Sequence, residues 1–341
     1  MIKRRRTRKI KVGDVIIGGS APISIQSMSK VKTSDISACV AEIKALEAAG
    51  CEIIRVAVKS HDDARAIGRI KRRIRIPVVA DIHFDYMLAL AAIKSGADKI
   101  RLNPGNMRKK GEIEEVVRAA KKAKIPIRIG LNSGSISTDM VKAALDYIKL
   151  FEEIDFRDII VSLKASDVTS TVEAYREISK RCDYPLHLGV TAAGPCDSGV
   201  VKSAIGIGSL LLDGIGDTVR VSLTADPVEE VIAAKRILSS LGLRRFAPEI
   251  ISCPTCGRCQ VNLTEIVKKL ERKLSTMDHG QSTKHQLSIA MMGCEVNGPG
   301  EAREADIGIA FGKGSGILFK KGKIIKKVTV KNAVKELLKN L

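Results

Sequence analysis

Three short apolar segments decide the fold: Glu52-Ile-Ile-Arg-Val-Ala-Val58, Pro77-Val-Val-Ala-Asp-Ile82 and Lys99-Ile-Arg-Leu-Asn103. Each is rich in Ile or Val, and each precedes a longer segment whose apolar residues recur at helical spacing. Strands that alternate with single helices pair in parallel through right-handed crossovers. The three segments therefore predict consecutive strand–helix units of one parallel sheet.

The same alternation extends in both directions until eight units are complete. The first predicted helix stops at Gly50, and the last opens with Asp226 and Pro227, an N-cap followed by proline in the first turn. Eight units in about 240 residues predict a (β/α)₈ barrel rather than an open sheet. The predicted strands are Ile23–Gln26, Glu52–Val58, Pro77–Ile82, Lys99–Asn103, Pro126–Leu131, Asp158–Lys164, Pro185–Val190 and Thr218–Ser222.

The pattern changes near 242–248, which predicts a linker and two domains, 1–243 and 244–341. The barrel is expected to bind the substrate, and the second domain to be a small α+β domain with a metal or cluster site. In that domain we expect a cysteine-rich turn, a helix over Thr264–Leu274, a strand over Gln286–Met292, three strands between about 307 and 330 and a terminal helix.

Composition narrows the class of protein. The chain has 341 residues, 45% hydrophobic and 3% aromatic, with a net charge of +20. Such a chain can bury a sizeable core, and its few aromatic residues argue against base-stacking nucleic-acid modules. Its charge favours anionic partners, such as a phosphorylated metabolite or an acidic protein.

No apolar run is long enough to predict a membrane span, and no signal-peptide core follows the basic start, Met1–Lys9. We expect that start to be a solvated tail. The protein is therefore expected to be cytoplasmic, without nucleic-acid or membrane partners.

Polar side chains are concentrated where the predicted strands end. In a barrel of this type, the carboxyl ends of the strands build the active site. The candidates there are Arg55, Asp81, His83, Arg101, Asn103, Arg128, Asn132, Lys164, His187, Thr191, Arg220 and Ser222.

Four cations, on the second, fourth, fifth and sixth strands, are expected to converge on this rim: Arg55, Arg101, Arg128 and Lys164. Guanidinium groups bind phosphate in a bidentate manner, so the group predicts a diphosphate site. The alternative is local pairing of each cation with an acid such as Asp81 or Asp167. For His83 and His187, a purely structural role is an equal alternative.

The second domain carries Cys253-Pro-Thr-Cys256-Gly-Arg-Cys259 and, later, Gly293-Cys294-Glu-Val-Asn297-Gly-Pro-Gly300-Glu301. Thiolates at this spacing ligate zinc or an iron–sulfur cluster. A zinc ribbon normally repeats the Cys-x-x-Cys pair, whereas Cys294 stands alone, so a [4Fe-4S] cluster is favoured. By ferredoxin-like spacing alone, Cys259 would be a ligand. The cysteines of the barrel are interpreted as small core residues.

The two cysteine motifs together resemble the 4-hydroxy-3-methylbut-2-enyl diphosphate synthase family of the non-mevalonate isoprenoid pathway. The resemblance covers nearly the whole chain. Further matching motifs begin at Ile25, Ala80, Arg101, Arg128, Ser162, Leu186 and Asp217.

The resemblance implies a (β/α)₈ barrel joined to a sulfite-reductase-like cluster domain. It implies reductive opening of 2-C-methyl-D-erythritol 2,4-cyclodiphosphate with two electrons from flavodoxin or ferredoxin, and a homodimer that completes each site in trans. The implied cluster ligands are Cys253, Cys256, Cys294 and Glu301, without Cys259. The implied diphosphate site is the four cations above with Asn132 and Ser222, and Asn297 lies near the cluster. Glu301, Asp81 and His83 are the candidate catalytic residues, and Asn103, His187 and Arg220 complete the candidate substrate-binding set.

One position departs from the family pattern. After Thr191 the family usually carries a glutamate, thought to protonate the departing hydroxyl, and this chain has Ala192. Either the chain is an inactivated variant, or another group, such as Asp81 or His83, supplies the proton. Two other functions stay open: a barrel enzyme of phosphorylated sugars with structural zinc, and a basic nucleic-acid-binding protein with a zinc ribbon.

Overall fold

The computed structural model describes residues 2–103, 107, 109–135, 139–275, 287–295, 300 and 305–341. The chain divides into two compact units, Met1–Arg244 and Arg245–Leu341. Each unit has its own strands, helices and apolar core.

Eight parallel strands form the core of the first unit. The sheet order is β8-β7-β6-β5-β4-β3-β10-β9, and one parallel bridge between Val161 and Leu186 links its two ends. The predicted (β/α)₈ barrel is therefore confirmed. Its strands are β3 (Ser24–Met28), β4 (Ile53–Val58), β5 (Val78–Ile82), β6 (Lys99–Leu102), β7 (Ile127–Asn132), β8 (Ile159–Lys164), β9 (His187–Leu188) and β10 (Thr218–Val219).

A helix follows each strand of the barrel. Side-chain caps fix several helix starts, as where Asp226 accepts from the amide of Val228 and Pro227 occupies the first turn. The first helix ends at Gly50, whose φ of 100° is the left-handed conformation that glycine favours. The helices are α1 (Ile36–Ala49), α2 (His61–Lys71), α3 (Tyr86–Lys94), α4 (Lys110–Ala123), α5 (Met140–Glu153), α6 (Val168–Arg181), α7 (Cys196–Leu212) and α8 (Pro227–Ser240).

A small hairpin precedes the barrel and was not predicted. Strands β1 (Ile10–Val12) and β2 (Val15–Ile17) are joined by a two-residue turn. The buried side chains of this hairpin pack against Ile53, Val79 and Ile160, near the starts of three barrel strands. The hairpin therefore covers the amino-terminal mouth of the barrel.

The expectation of a solvated basic tail is wrong. Arg5 donates hydrogen bonds to the carbonyls of Cys182 and Tyr184, beyond the end of α6. Arg4 forms an ion pair of 3.1 Å with the buried Asp217. Carbonyl groups left unpaired at a helix end attract cations, so this segment is held to the barrel by its charges.

The second unit contains one five-stranded sheet in the order β11-β12-β13-β14-β15. The first three strands are parallel and the last two pair antiparallel. Its apolar core lies between one face of the sheet and two helices. The elements are β11 (Glu249–Ser252), α9 (Leu263–Ser275), β12 (Ser288–Met292), β13 (Ile307–Gly312), β14 (Ser315–Lys320), β15 (Lys323–Thr329) and α10 (Ala333–Leu338).

Strand β11 is the element of this unit that sequence reasoning missed. It is short, mostly exposed and contains Glu249 and Ser252, so it has no apolar alternation to indicate a strand. Its position matters because it ends directly before Cys253.

Candidate active site

Two of the predicted cations meet at one carboxylate in the barrel. Asp81, in β5, lies 3.0 Å from Nη1 of Arg101 and 3.5 Å from Nε of Arg55. His83 approaches the same carboxylate, with 3.6 Å between Nε2 and Oδ2. The parallel register of β4, β5 and β6 brings these residues together, as the sequence predicted for strand ends. Local pairing with Asp81 is thus real for Arg55 and Arg101.

The alternative partner, Asp167, does not pair with these cations through any contact seen in the described structure. Its carboxylate caps α6 by accepting from the amide of Ser170. Arg128 and Lys164 have no acidic partner among the described residues, although both are buried.

A glycine makes room for Arg101. A β-carbon placed on Gly130 would lie 2.6 Å from Nε of Arg101, closer than packing allows. The carbonyl of the same glycine accepts a hydrogen bond of 2.9 Å from Nη2 of that arginine. Gly189 makes room for Lys164 in the same way, because an added β-carbon would lie 2.5 Å from Nζ of that lysine. These glycines position functional side chains, a role that sequence reasoning missed.

Charge and burial set the protonation of the cluster. Burial alone would raise the pKa of Asp81. The guanidinium groups of Arg55 and Arg101 outweigh burial and hold this pKa well below its usual range. Burial lowers the pKa of Arg55 to about 10 against the opposing effect of Asp81. Asp81 is therefore an anion at neutral pH, and this environment does not fit the proton-donor role predicted for it.

Burial and nearby cations also shift the other basic groups of the barrel. Burial first, and then Arg128, lower the pKa of both Lys164 and His187 well below their ordinary values. A bound diphosphate would reverse the effect of the cations, since an anion favours the charged form of each base.

Arg220 belongs to a second ion-pair group. Its Nη2 lies 3.3 Å from Oε2 of Glu230, and Nζ of Lys30 lies 3.3 Å from the other oxygen of that carboxylate. Glu230 is buried and also accepts from the amide of Leu223. Sequence reasoning missed Lys30 and Glu230, because a charged residue in the first turn of a helix usually indicates capping rather than an inward contact.

The remaining predicted residues of the barrel differ in how deeply they are buried. Arg128 is only 1% exposed, and His187 is fully buried. His187 is in register with Thr218 and Ser24 on one side, and the bridge between Leu186 and Val161 places it beside Ser162 of β8 on the other. Burial, Arg128 and Lys164 lower its pKa, so it lies inside the barrel near the predicted cations.

Three polar residues of the predicted set lie at the rim. Asn132 ends β7, and its Oδ1 lies 3.5 Å from the hydroxyl of Thr191. Asn103 is buried directly after β6, and Ser222 is half-buried beyond β10. These positions are compatible with hydrogen bonds to a ligand that the cations attract.

A further buried cation was not predicted. Lys99 is fully buried at the start of β6, and its ammonium group lies 3.4 Å from Oε1 of Gln26. Burial, reinforced by Arg128, lowers the pKa of Lys99 well below its ordinary value. A lysine that opens a strand normally indicates a solvent-exposed end, so the sequence offered no signal.

Ala192 lies between β9 and α7, next to Thr191. It is exposed and has a φ of 50°, a left-handed conformation uncommon for residues other than glycine. Through Thr191 and Asn132 it is linked to the rim of the barrel.

The cysteine motifs of the second unit follow two neighbouring parallel strands. Cys253 comes directly after β11, and Cys294 comes two residues after β12. The amide of Gly293 donates to Sγ of Cys253 over 3.3 Å. A β-carbon on Gly293 would lie 2.4 Å from Sγ of Cys259, so the absence of a side chain there lets the thiols approach.

Cys259 differs from the other cysteines of this motif. Its thiol donates to the carbonyl of Val261 over 3.2 Å, and both Cys253 and Cys259 pack against the apolar core. Cys256 is exposed. Within the described ranges, no three His, Cys, Asp or Glu side chains are arranged to hold a metal ion. The predicted ligand Glu301 and the predicted neighbour Asn297 lie outside the described residues.

The donor set nevertheless fits an iron–sulfur group. Cysteine thiolates are the usual ligands of such clusters, and adjacent strand ends bring Cys253 and Cys294 to the same edge of the sheet. None of the eight cysteines, all of which the structure describes, forms a disulfide bond. None of the described helices combines the length and apolar character needed to cross a lipid bilayer.

The chain combines a barrel whose strand ends carry buried cations with a small unit that carries a cysteine motif. This combination defines a class of two-domain enzyme. The model of the GcpE TIM-barrel domain matches residues 7–235, and the model of the GcpE protein C-terminal domain matches residues 249–341. The chain belongs to the GcpE family. Members of this family are iron–sulfur enzymes.

Curated relatives match the chain over its whole length. The 4-hydroxy-3-methylbut-2-en-1-yl diphosphate synthase (flavodoxin) of Thermodesulfovibrio yellowstonii is 55% identical, over 100% of this chain and 99% of the relative. The protein of the same description from Ruminiclostridium cellulolyticum is 51% identical, over 100% and 98%.

Solved structures resemble the fold at low sequence identity. Dihydropteroate synthase from Stenotrophomonas maltophilia has a TM-score of 0.53 at 17% identity, over 69% of this chain and 98% of that chain. N-acetylneuraminic acid synthetase from Leptospira borgpetersenii has a TM-score of 0.53 at 12% identity, over 81% and 100%. These similarities concern the fold alone.

Proposed function

We propose that the protein is an oxidoreductase that opens 2-C-methyl-D-erythritol 2,4-cyclodiphosphate to (E)-4-hydroxy-3-methylbut-2-enyl diphosphate. Two electrons enter, the bond from a ring carbon to a phosphate oxygen breaks, and one substrate hydroxyl leaves with a proton as water. The observation that carries the proposal is the group of buried cations at the strand ends of a GcpE-family barrel. The relatives named above carry the name of this reaction.

The diphosphate is proposed to bind Arg55, Arg101, Arg128 and Lys164. Asp81 pairs with the first two and orients them, while Arg128 and Lys164 have no acidic partner among the described residues. Charged groups held in this way need little reorganisation on binding. Asn103, Asn132 and Ser222 are proposed to donate hydrogen bonds to the same ligand, and Arg220 to border it.

The cofactor is proposed to be a [4Fe-4S] cluster held by Cys253, Cys256, Cys294 and Glu301. When bound, it would deliver electrons to the substrate. Asn297 is proposed to lie near it. The hydrogen bond of Cys259 to a backbone carbonyl supports leaving that cysteine out of the ligand set.

The proton for the leaving hydroxyl needs a donor other than Ala192. Asp81 is ionised, and His187 is fully buried, with burial and Arg128 lowering its pKa. His83 is partly exposed at the rim, and its Nε2 lies 3.6 Å from Oδ2 of Asp81. His83 is therefore the candidate acid of the chain as it stands.

Flavodoxin is the proposed electron donor, as in the names of the relatives, with ferredoxin as the alternative. A homodimer with sites completed in trans is proposed as well, and exposed Val201, Ile205 and Leu212 on one side of α7 offer an apolar surface for self-association. The eight cysteines, all of which the structure describes, form no disulfide bonds, which is compatible with the cytoplasm.

The decisive experiment measures iron, acid-labile sulfide and zinc in anaerobically reconstituted protein, and then product formation from the cyclic diphosphate with a chemical reductant. We expect about four irons and four sulfides per chain and slow formation of the linear diphosphate. Stoichiometric zinc without iron would overturn the proposal. Mixing a Cys294→Ser chain with an Arg101→Ala chain tests the dimer, because only completion in trans restores turnover.

A further inference from the structure

The outer edge of the second unit's sheet combines lysines with exposed isoleucines. Strand β15 reads Lys323-Ile-Ile-Lys-Lys327, and Ile324 and Ile325 are 72% and 48% exposed. Ile317, on the neighbouring β14, is 44% exposed. Lysines alone are an ordinary protection of an edge strand against pairing with another chain. Protection of the edge does not explain the three exposed isoleucines, because exposed apolar side chains favour association with another chain.

The cross-strand register connects this edge to the cysteine motif. Met292 pairs with Ala310, Ala310 with Ile317 and Ile317 with Lys327. The first two belong to an apolar cluster on one face of the sheet, and Cys253 packs against that cluster. Three strand spacings separate Met292 from Lys327, which is about 14 Å. A partner protein that binds at Ile317 and Lys327 therefore lies close to the ends of the strands that carry Cys253 and Cys294.

The charges at this edge are available to an outside partner. Lys323 and Lys327 are exposed, and neither has an acidic partner among the described residues. Lys326 differs, because it pairs with Glu336. By the register, Ile317, Ile324 and Lys327 lie on the face of the sheet that carries Met292 and Ala310, whereas Lys323 lies opposite Lys320 on the other face. The edge strand thus combines isoleucines with flanking cations, and protein–protein interfaces join an apolar core to a polar rim.

We propose that this surface, formed by Ile317, Lys323, Ile324, Ile325 and Lys327, is the docking site of the acidic protein that delivers electrons. The inference rests on the proposed function and assigns the partner to a named surface. Two arguments select this occupant. Unpaired lysines complement an acidic carrier, and the register places the surface beside the cysteine-bearing strand ends.

The test compares two variants with the same change of charge. Lys323→Glu with Lys327→Glu reverses the proposed surface, whereas Lys268→Glu with Lys269→Glu reverses two exposed lysines on α9. Binding of a purified, oxidised flavodoxin is measured by calorimetry at low and moderate salt. We expect the first variant to weaken binding about tenfold or more and to reduce its salt dependence, and the second to change affinity by less than about twofold. Ile317→Ser should weaken binding without altering the salt dependence.

Cross-linking of lysines to flavodoxin carboxylates gives an independent readout. We expect the cross-links at Lys323 and Lys327. Cross-links confined to the barrel, equal affinities of the two charge variants, or loss of self-association instead of flavodoxin binding would each overturn the proposal. Turnover with a chemical reductant separates this outcome from failure of the proposed function, because reversal of the edge charges should leave that turnover unchanged.

Discussion

The barrel rim and the cysteine segment differ in how many of the contacts that fix their side chains come from the chain itself. At the rim, Arg101 already has Asp81 and the carbonyl of Gly130 as partners, so its guanidinium is fixed before any ligand binds. In the second unit, Cys253 and Cys259 approach Gly293, yet the described residues form no closed set of metal ligands. We therefore expect protein contacts to preorganise the proposed substrate site, whereas binding of the proposed cofactor would fix the cysteine ligands.

The largest expected effect tests the cysteine half of this comparison. Cys294→Ser should abolish retention of the cluster, because the remaining thiols cannot complete the ligand set. Cys259→Ser should leave retention nearly unchanged, since its thiol already bonds to the carbonyl of Val261. Iron and sulfide per chain after anaerobic reconstitution measure both. Equal loss in the two variants would support ferredoxin-like ligation by Cys259 instead.

The next largest effect tests the barrel rim, where contacts within the chain already fix the side chains. Asp81→Asn should lower the free energy of unfolding at pH 7 by about 3 to 5 kcal/mol, the usual cost of removing one partner from a buried ion pair. Since the pKa of Asp81 is lowered in the folded state, its contribution is present above the ordinary carboxyl pKa and is lost as the pH falls. The difference from the parent protein should therefore narrow below about pH 4.

Urea unfolding at several pH values measures this difference. Asp62→Asn is the control, because Asp62 pairs with Arg65 on the exposed surface and should change stability by less than about 0.5 kcal/mol. A pH-independent loss at Asp81 would show that its charge is not what stabilises the fold.

A third prediction concerns the rim position that lacks an acid. Ala192→Glu should raise kcat about a hundredfold, the lower range for a positioned general acid. The backbone imposes no new cost, because Ala192 already places a β-carbon on a left-handed backbone. Single-turnover rates at equal cluster occupancy decide the matter. Equal rates in the two proteins would assign the proton to another group, and loss of activity in His83→Gln would then identify it.

The smallest effect concerns affinity. Arg128→Ala should weaken binding of the cyclic diphosphate about tenfold or more, because a hydrogen bond to a charged group contributes about 1.5 to 3 kcal/mol. Calorimetry on the protein without cluster measures it, with Arg176→Ala on the barrel surface as control. Unchanged affinity in Arg128→Ala and in one further cation variant would contradict the diphosphate site.

The sequence predicted the barrel because its signals are local and repeated. Apolar strands and helix caps such as Asp226 occur where the structure has an element. The strand-end rule also brought Arg55, Asp81 and Arg101 together correctly, since parallel strands place their carboxyl ends on one rim.

The misses have a common physical origin in tertiary context. Lys99 and Glu230 have the residue types of exposed positions, and only the closed barrel buries them. The roles of Gly130 and Gly189 depend on side chains from other strands, which no local pattern reveals.

The hairpin at the start of the chain has a consequence for biosynthesis. Its strands rest on Ile53, Val79 and Ile160, and the arm before it is held by Tyr184 and Asp217. Residues 4–17 therefore contact partners that emerge from the ribosome much later. Such long-range contacts slow folding, because the intervening chain must be ordered before they form. The opening segment is thus expected to be seated last, and its apolar strands stay available to chaperones until the barrel closes.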